Sequence, residues 1–171
     1  MAVSAKLKAR LKKIKMLILD IDGVLTDARI LWIEGTGWTA SGYNVRDGFG
    51  IRQLMKNGIE VAMISGGAFE SHKKRAEILK VTHAYFGDED KTHAYAKIKA
   101  DTGYSDAELA YVGDELFDIP VLEKVGFAAT VADAAPQVKR RVHYTTRQKG
   151  GFGAAREICD LLLEARGKLP K

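Results

Sequence analysis

The 171-residue sequence predicts an α/β fold, a doubly wound parallel sheet, and three observations carry that prediction. Short apolar runs of strand length alternate with stretches of helical periodicity, joined by mostly short connections. The runs are continuous rather than alternating, which suits strands covered on both faces. The main runs end in acidic, hydroxyl or glycine residues, the residue types expected at the ligand-binding rim of such a sheet.

In chain order, Val3, Leu7, Leu11 and Ile14 recur at helical spacing and mark a leading amphipathic helix. MLILD (16–20) is the first strand. Residues 29–45 break the pattern: RILWIEGTGWTASGYNV reads as two strands around a Gly35-Thr36-Gly37 turn, a hairpin inserted after the first strand. Its Trp32, Trp38 and Tyr43 are expected to pack against the domain or a neighbouring subunit, because a lone hairpin cannot bury them. Ile51, Leu54 and Met55 mark a helix stopped by Asn57-Gly58. Strands follow at 59–65, 82–86, 109–114 and 126–131, with an edge strand at 142–146. Helices are expected at 68–80, 91–102, 115–125 and 133–141, and a long one at 151–166 ends at Gly167. The whole, 1–171, is expected to be one domain.

Composition narrows the class. Hydrophobic residues make up 46% and charged residues 29%, a globular balance. No run approaches the length of a membrane span. The basic leader lacks the apolar segment of a signal peptide, so a cytoplasmic protein is expected. One cysteine, Cys159, excludes an internal disulfide. The net charge is +5, but residues 1–15 hold six basic side chains and no acid, so the remainder is nearly neutral. A basic balance confined to one short segment, without a recognisable module, argues against nucleic acid as the main partner.

The strand ends carry the chemistry. The first delivers Asp20-Ile21-Asp22-Gly23, the second core strand Ser65-Gly66-Gly67, and the fourth Gly113-Asp114-Glu115, with Asp118 four residues beyond Asp114; Lys91 follows the third. A carboxylate can attack phosphorus to form an aspartyl-phosphate. A second can protonate the leaving oxygen and then activate water. Lys91 and Ser65 suit the phosphoryl oxygens. Crowded carboxylates call for a hard cation such as Mg²⁺. Taken singly, a strand-end aspartate is an ordinary turn or cap residue. Their order along successive strands makes the pattern.

DIDGVLTD (20–27), ISGG (64–67), Lys91 and GDELFD (113–118) resemble the four motifs of the haloacid dehalogenase phosphohydrolases. The hairpin, YNVRDGFGI (43–51), VADAAPQV (131–138), HYTT (143–146), GGFGAAREICDLLLEARGKL (150–169) and the basic leading helix resemble the 3-deoxy-D-manno-octulosonate 8-phosphate (Kdo 8-phosphate) phosphatase family. The resemblance implies a Rossmann-like fold with the hairpin as a minimal cap and no large cap domain. It implies Mg²⁺-dependent hydrolysis of a small sugar-acid phosphate, most directly Kdo 8-phosphate, in lipopolysaccharide precursor synthesis. Asp20 would be nucleophile and metal ligand. Asp22 would be the acid/base, with its backbone carbonyl on the metal. Ser65, Gly66 and Lys91 would hold the phosphoryl group, Asp114 would complete the metal set, and Asp118 would act from behind it or through water. Arg75 matches an arginine directed at the sugar-acid carboxylate. A homotetramer is implied, with hairpins over neighbouring sites, and residues 166–169 resemble a segment that folds over an adjacent site.

Two positions depart from the family pattern. Gly67 stands where arginine is usual and where phosphatases of nine-carbon sialic-type 9-phosphates can carry glutamate; Glu115 stands for a more usual aspartate. NVRDG favours the eight-carbon substrate, with a nine-carbon 9-phosphate or another small sugar phosphate as the alternative. A receiver-like phospho-acceptor module is a remoter alternative, opposed by an acid/base group at Asp22 that would shorten the life of an aspartyl-phosphate.

Overall fold

The run Met-Leu-Ile-Leu-Asp forms β1 (Met16–Asp20), buried along its length, in a computed structural model that describes residues 4–40 and 42–169. Around it lie β4 (Glu60–Ser65), β5 (His83–Phe86), β6 (Leu109–Val112), β7 (Phe127–Thr130) and the two-residue β8 (Tyr144–Thr145). The sheet order is β5-β4-β1-β6-β7-β8, and every pairing is parallel. β2 (Ile30–Ile33) and β3 (Gly37–Ala40) form the separate antiparallel hairpin.

Both faces of the sheet are covered, as its unbroken apolar strands require. Leu17, Leu19, Val61, Met63, Val112 and Phe127 pack with α1 (Ala5–Leu11), α2 (Val45–Lys56), α3 (Glu70–Leu79) and α7 (Ala154–Ala165). Met16, Ile18, Ala62, Ile64 and Tyr111 face the other way, against α4 (Lys91–Thr102), α5 (Ile119–Leu122) and α6 (Pro136–Lys139). Two-residue alternation along each strand thus feeds two cores. α7 buries eight residues against the first, and each large aliphatic among them contributes about 1.5–3 kcal/mol. α2 crosses α7 closely: a Cβ on Gly50 would stand 2.8 Å from Arg156 Cδ. Asp47 of α2 accepts the Arg156 backbone N–H at 2.7 Å, so one helix supplies the carboxylate at the other's N-terminus.

The doubly wound parallel sheet and the hairpin stand as the sequence predicts, and no large cap interrupts the described residues. Boundaries differ for physical reasons. α2 begins at Val45, behind an Asn44 cap, six residues before the apolar stripe that reveals it, so residue 45 belongs to a helix and not to the hairpin. The expected helix at 115–125 is a 3₁₀ turn (Leu116–Asp118) followed by α5, with Pro120 near its start. The last strand-to-helix connection takes Gly151 and Gly153, both at positive φ, so α7 begins at Ala154. Trp32 and Trp38 are cross-strand partners with ring centroids 5.1 Å apart, and each is 62% exposed. They pack on each other and stay largely exposed, whereas Tyr43 is partly buried and packs against the core. Val3 lies outside the described residues. No helix among the described residues is long and apolar enough to cross a membrane.

Candidate active site

Parallel strands place their carboxyl ends on one rim, and four of them bring the site together there. Asp20 ends β1, Ser65 ends β4, Lys91 opens α4 after β5, and Asp114 lies just beyond β6. The Lys91 ammonium donates to Asp20 Oδ1 at 2.7 Å and to Asp118 Oδ1 at 2.6 Å, and all three side chains are buried. Asp118 is the hub of this cluster. Its Oδ1 also accepts the Tyr111 hydroxyl at 2.6 Å, and its Oδ2 accepts the backbone N–H groups of Asp114 at 2.8 Å and Glu115 at 3.0 Å. One carboxylate therefore fixes both the lysine and the loop that carries Asp114.

Two glycines make the cluster possible. Gly23 has φ +93°, and a Cβ there would fall 2.1 Å from Asp114 Oδ2. On Gly113 a Cβ would fall 2.3 Å from Asp118 Cγ. Backbone without side chains lets three carboxylates converge.

Burial dominates the electrostatics. It raises the Asp20 pKa far above the carboxylate range, against the pull of Lys91 and with the help of Asp118 and Asp114. Burial and the Asp118 charge lift Asp114 to about 7. Burial also opposes the charge on Lys91, but Asp20 and Asp118 outweigh it and raise its pKa.

Asp22 belongs to a neighbouring group, with its carboxylate turned toward β4 and α3. Its Oδ2 accepts the Ser65 hydroxyl at 2.9 Å, and Ser65 Oγ accepts the Gly67 N–H at 3.0 Å. Its Oδ1 lies 3.2 Å from His72 Nε2. Burial pushes the Asp22 pKa up, yet the contacts with His72 and Ser65 and the charge of Lys91 more than offset it, leaving it below the usual range. Gly66 lies against Glu89, where a Cβ would stand 3.4 Å from its Cγ.

Arg75 is placed differently. It donates to the Asn44 carbonyl at 3.1 Å and lies over the Tyr43 ring, with its centre 5.0 Å from the centroid. Glu115 turns its carboxylate to the Leu116 N–H at 2.8 Å and stays out of the acidic cluster. Arg166 donates to the Ile14 carbonyl and Leu169 packs on the core, so residues 166–169 lie near the amino ends of the strands within this chain, away from the rim. Sequence reasoning missed His72 and Tyr111. A histidine within Glu-Ser-His-Lys-Lys-Arg carries no sign of burial, and a tyrosine inside an apolar run looks like core.

The oxygens fit a divalent cation. Carboxylate oxygens of Asp20, Asp114 and Asp118 lie within 4.8 Å of one another. Three acids face one lysine, and two buried oxygens, Asp20 Oδ2 and Asp114 Oδ1, have no hydrogen-bond partner. Buried carboxylate oxygens left unpaired are costly, and an oxygen-seeking divalent ion satisfies them.

Comparison with known proteins points the same way. The family description of haloacid dehalogenase-like hydrolases matches residues 87–158. The 3-deoxy-D-manno-octulosonate 8-phosphate phosphatase of Escherichia coli strain K12 is 44% identical over 167 residues, spanning 98% of this chain and 88% of the relative. The crystal structure of the Yersinia pestis 3-deoxy-D-manno-octulosonate 8-phosphate phosphatase superposes with a TM-score of 0.94 at 42% identity, covering 98% and 90% of the two chains. The Moraxella catarrhalis 3-deoxy-D-manno-octulosonate 8-phosphate phosphatase, solved with a magnesium ion, a phosphate ion and a KDO molecule, superposes with a TM-score of 0.93 at 30% identity, covering 98% and 95%.

Proposed function

The chain belongs to the Kdo 8-phosphate phosphatase family of haloacid dehalogenase-like hydrolases, and from that membership we propose that it hydrolyses Kdo 8-phosphate to Kdo and inorganic phosphate with Mg²⁺ as cofactor. The observation that carries the proposal is the pairing of Asp20 with Lys91 beside the unpartnered Asp114 oxygen, with Asp22 held apart by Ser65.

Asp20 Oδ2, the oxygen that Lys91 does not engage, attacks phosphorus. The bond from phosphorus to the sugar oxygen breaks, and Asp22 delivers its proton to that oxygen. Water then attacks the aspartyl-phosphate, Asp22 takes its proton, and phosphate leaves with Asp20 restored. Lys91, Ser65 and the Gly66 backbone hold the phosphoryl oxygens as charge builds. Contacts with His72 and Ser65 and the charge of Lys91 depress the Asp22 pKa. An incoming phosphate dianion adds negative charge and draws away the Ser65 proton, and both raise that pKa. Asp20, the Asp22 carbonyl and Asp114 would hold Mg²⁺, which supplies charge neutralisation of the acids and the phosphate.

Phosphate release from Kdo 8-phosphate, a nine-carbon 9-phosphate, hexose phosphates and an aryl phosphate, with Mg²⁺ and with chelator, tests the reading. A strong metal-dependent preference for Kdo 8-phosphate is expected. Equal rates across the sugar phosphates would overturn the substrate, and normal turnover by a folded Asp20→Asn variant would overturn the mechanism.

The same membership leads us to propose a cytoplasmic homotetramer acting in lipopolysaccharide precursor synthesis. The exposed apolar hairpin, with Ile30, Leu31, Trp32, Ile33 and Trp38, supports the association. Sedimentation of wild type and Trp38→Glu should show a tetramer and a smaller species; a wild-type monomer would refute it.

A further inference from the structure

We infer that His72 is a positioning residue for Asp22, holding one oxygen of that carboxylate in place after Ser65 turns to the phosphoryl group. The inference rests on the phosphatase reading above and adds a residue outside the strand-end motifs.

His72 lies in the first turn of α3 and is fully buried. Its ring meets Phe69 nearly edge-on, with centroids 5.1 Å apart, and Phe86 at 6.1 Å. Both nitrogens lie near an oxygen: Nδ1 is 3.4 Å from the Gly67 carbonyl, and Nε2 is 3.2 Å from Asp22 Oδ1. The second approach lies off the ring N–H direction, so the contact is close but not aligned. Such contacts tighten when substrate binds. A fully buried imidazole is costly without polar partners, and aromatic walls leave this one little freedom to turn elsewhere.

The hydroxyl of Ser65 has one proton. In the resting site it goes to Asp22 Oδ2. Once it goes to a phosphoryl oxygen, Oδ2 is released to carry the catalytic proton, and Ser65 no longer restrains Asp22. His72 still faces Oδ1. The division of labour is then atom by atom: Oδ1 is held by His72, and Oδ2 serves the leaving oxygen and later the water.

Gly67 supports the same arrangement. A Cβ there would stand 3.2 Å from both Asp22 Oδ2 and His72 Cε1, and 3.3 Å from Phe69. The bare backbone leaves the ring and the carboxylate room to meet.

A leaving-group comparison separates positioning from mere support. kcat/KM reports the steps through the first bond cleavage, where a sugar alkoxide needs a proton and a 4-nitrophenolate does not. For His72→Phe, kcat/KM on Kdo 8-phosphate is expected to fall about 10- to 100-fold, and that on 4-nitrophenyl phosphate less than about threefold. His72→Gln, whose amide N–H reaches toward the Nε2 position, should recover most of the loss. His72→Asn, whose amide reaches only toward Gly67, should not, and this polar pair keeps the comparison decisive if His72→Phe fails to fold. Equal losses on both substrates, or Asn rescuing as well as Gln, would overturn the proposal. A wild-type protein inert toward both phosphates would instead overturn the phosphatase reading, and this proposal with it.

Discussion

Burial and the nearby Asp118 charge hold the Asp114 pKa at about 7, and Asp20 beside it is raised for the same leading reason. Both pKa values lie above those of the unfolded chain, so the folded protein binds more protons between the two values. The contribution of these groups to stability is therefore full at acid pH and declines as pH rises toward the folded pKa. For Asp114 alone, the loss between about pH 5 and about pH 7 is roughly 2–3 kcal/mol. A divalent cation reverses this by taking the place of the proton, and its affinity for the centre should rise roughly 50- to 100-fold over the same interval. The check is a set of thermal melts at about pH 5, 6, 7 and 8, each with Mg²⁺ and with chelator. Asp47, also raised by burial, titrates equally in both series, so the difference isolates the centre. Lys91 keeps its charge throughout, and the depressed Asp22 pKa moves its transition to lower pH. The gap between the two melting curves should widen by roughly 5–10 °C from about pH 5 to about pH 7. A gap of constant size would refute the reasoning, because the acids would then not be releasing protons to the ion.

Three further outcomes follow from the same geometry. Gly23→Ala forces a Cβ into the Asp114 carboxylate at positive φ; a loss of about 2–4 kcal/mol in denaturant unfolding is expected, together with loss of the Mg²⁺ response. Tyr111→Phe removes one of the donors to Asp118 and should cost about 1 kcal/mol, with a several-fold fall in kcat that steady-state assays would detect. Asp47→Ala leaves the Arg156 N–H unpaired at the start of α7 and should cost about 1–2 kcal/mol in thermal melts while keeping the Mg²⁺ dependence of those melts.

The central strands were legible because burial on both faces leaves a continuous apolar signature, as in MLILD and EVAMIS. The rim residues were legible because parallel topology sends strand ends to one side. α2 was half hidden: Gly48 and Gly50 weaken its helical pattern, yet Gly50 is where α7 crosses and Gly48 is where Arg75 passes, with a Cβ reaching within 2.7 Å of its Nη2. Tertiary packing overrides propensity there. The division of the acids into the converging Asp20, Asp114 and Asp118 and a separate Asp22 group is a matter of side-chain direction, which spacing does not encode. The spacing of Asp118 in its motif likewise gives no sign that its carboxylate gathers Lys91, Tyr111 and two backbone N–H groups.

The order β5-β4-β1-β6-β7-β8 means that the first strand made is an interior strand of the finished sheet. Vectorial synthesis gives β1 its partner on one side when residue 65 is complete and on the other only when residue 112 is. At roughly 5–20 residues per second, the second edge of a strand apolar on both faces stays open for roughly 2–10 s. Over that interval the nascent chain is a half-sheet with an unpaired hydrophobic margin, the form most open to pairing with another chain. Asp20 stands at the end of that margin, and Asp118, which anchors its lysine, is made only after the margin has closed. A pause in translation within this interval would prolong the exposure, whereas a pause after β6 would not.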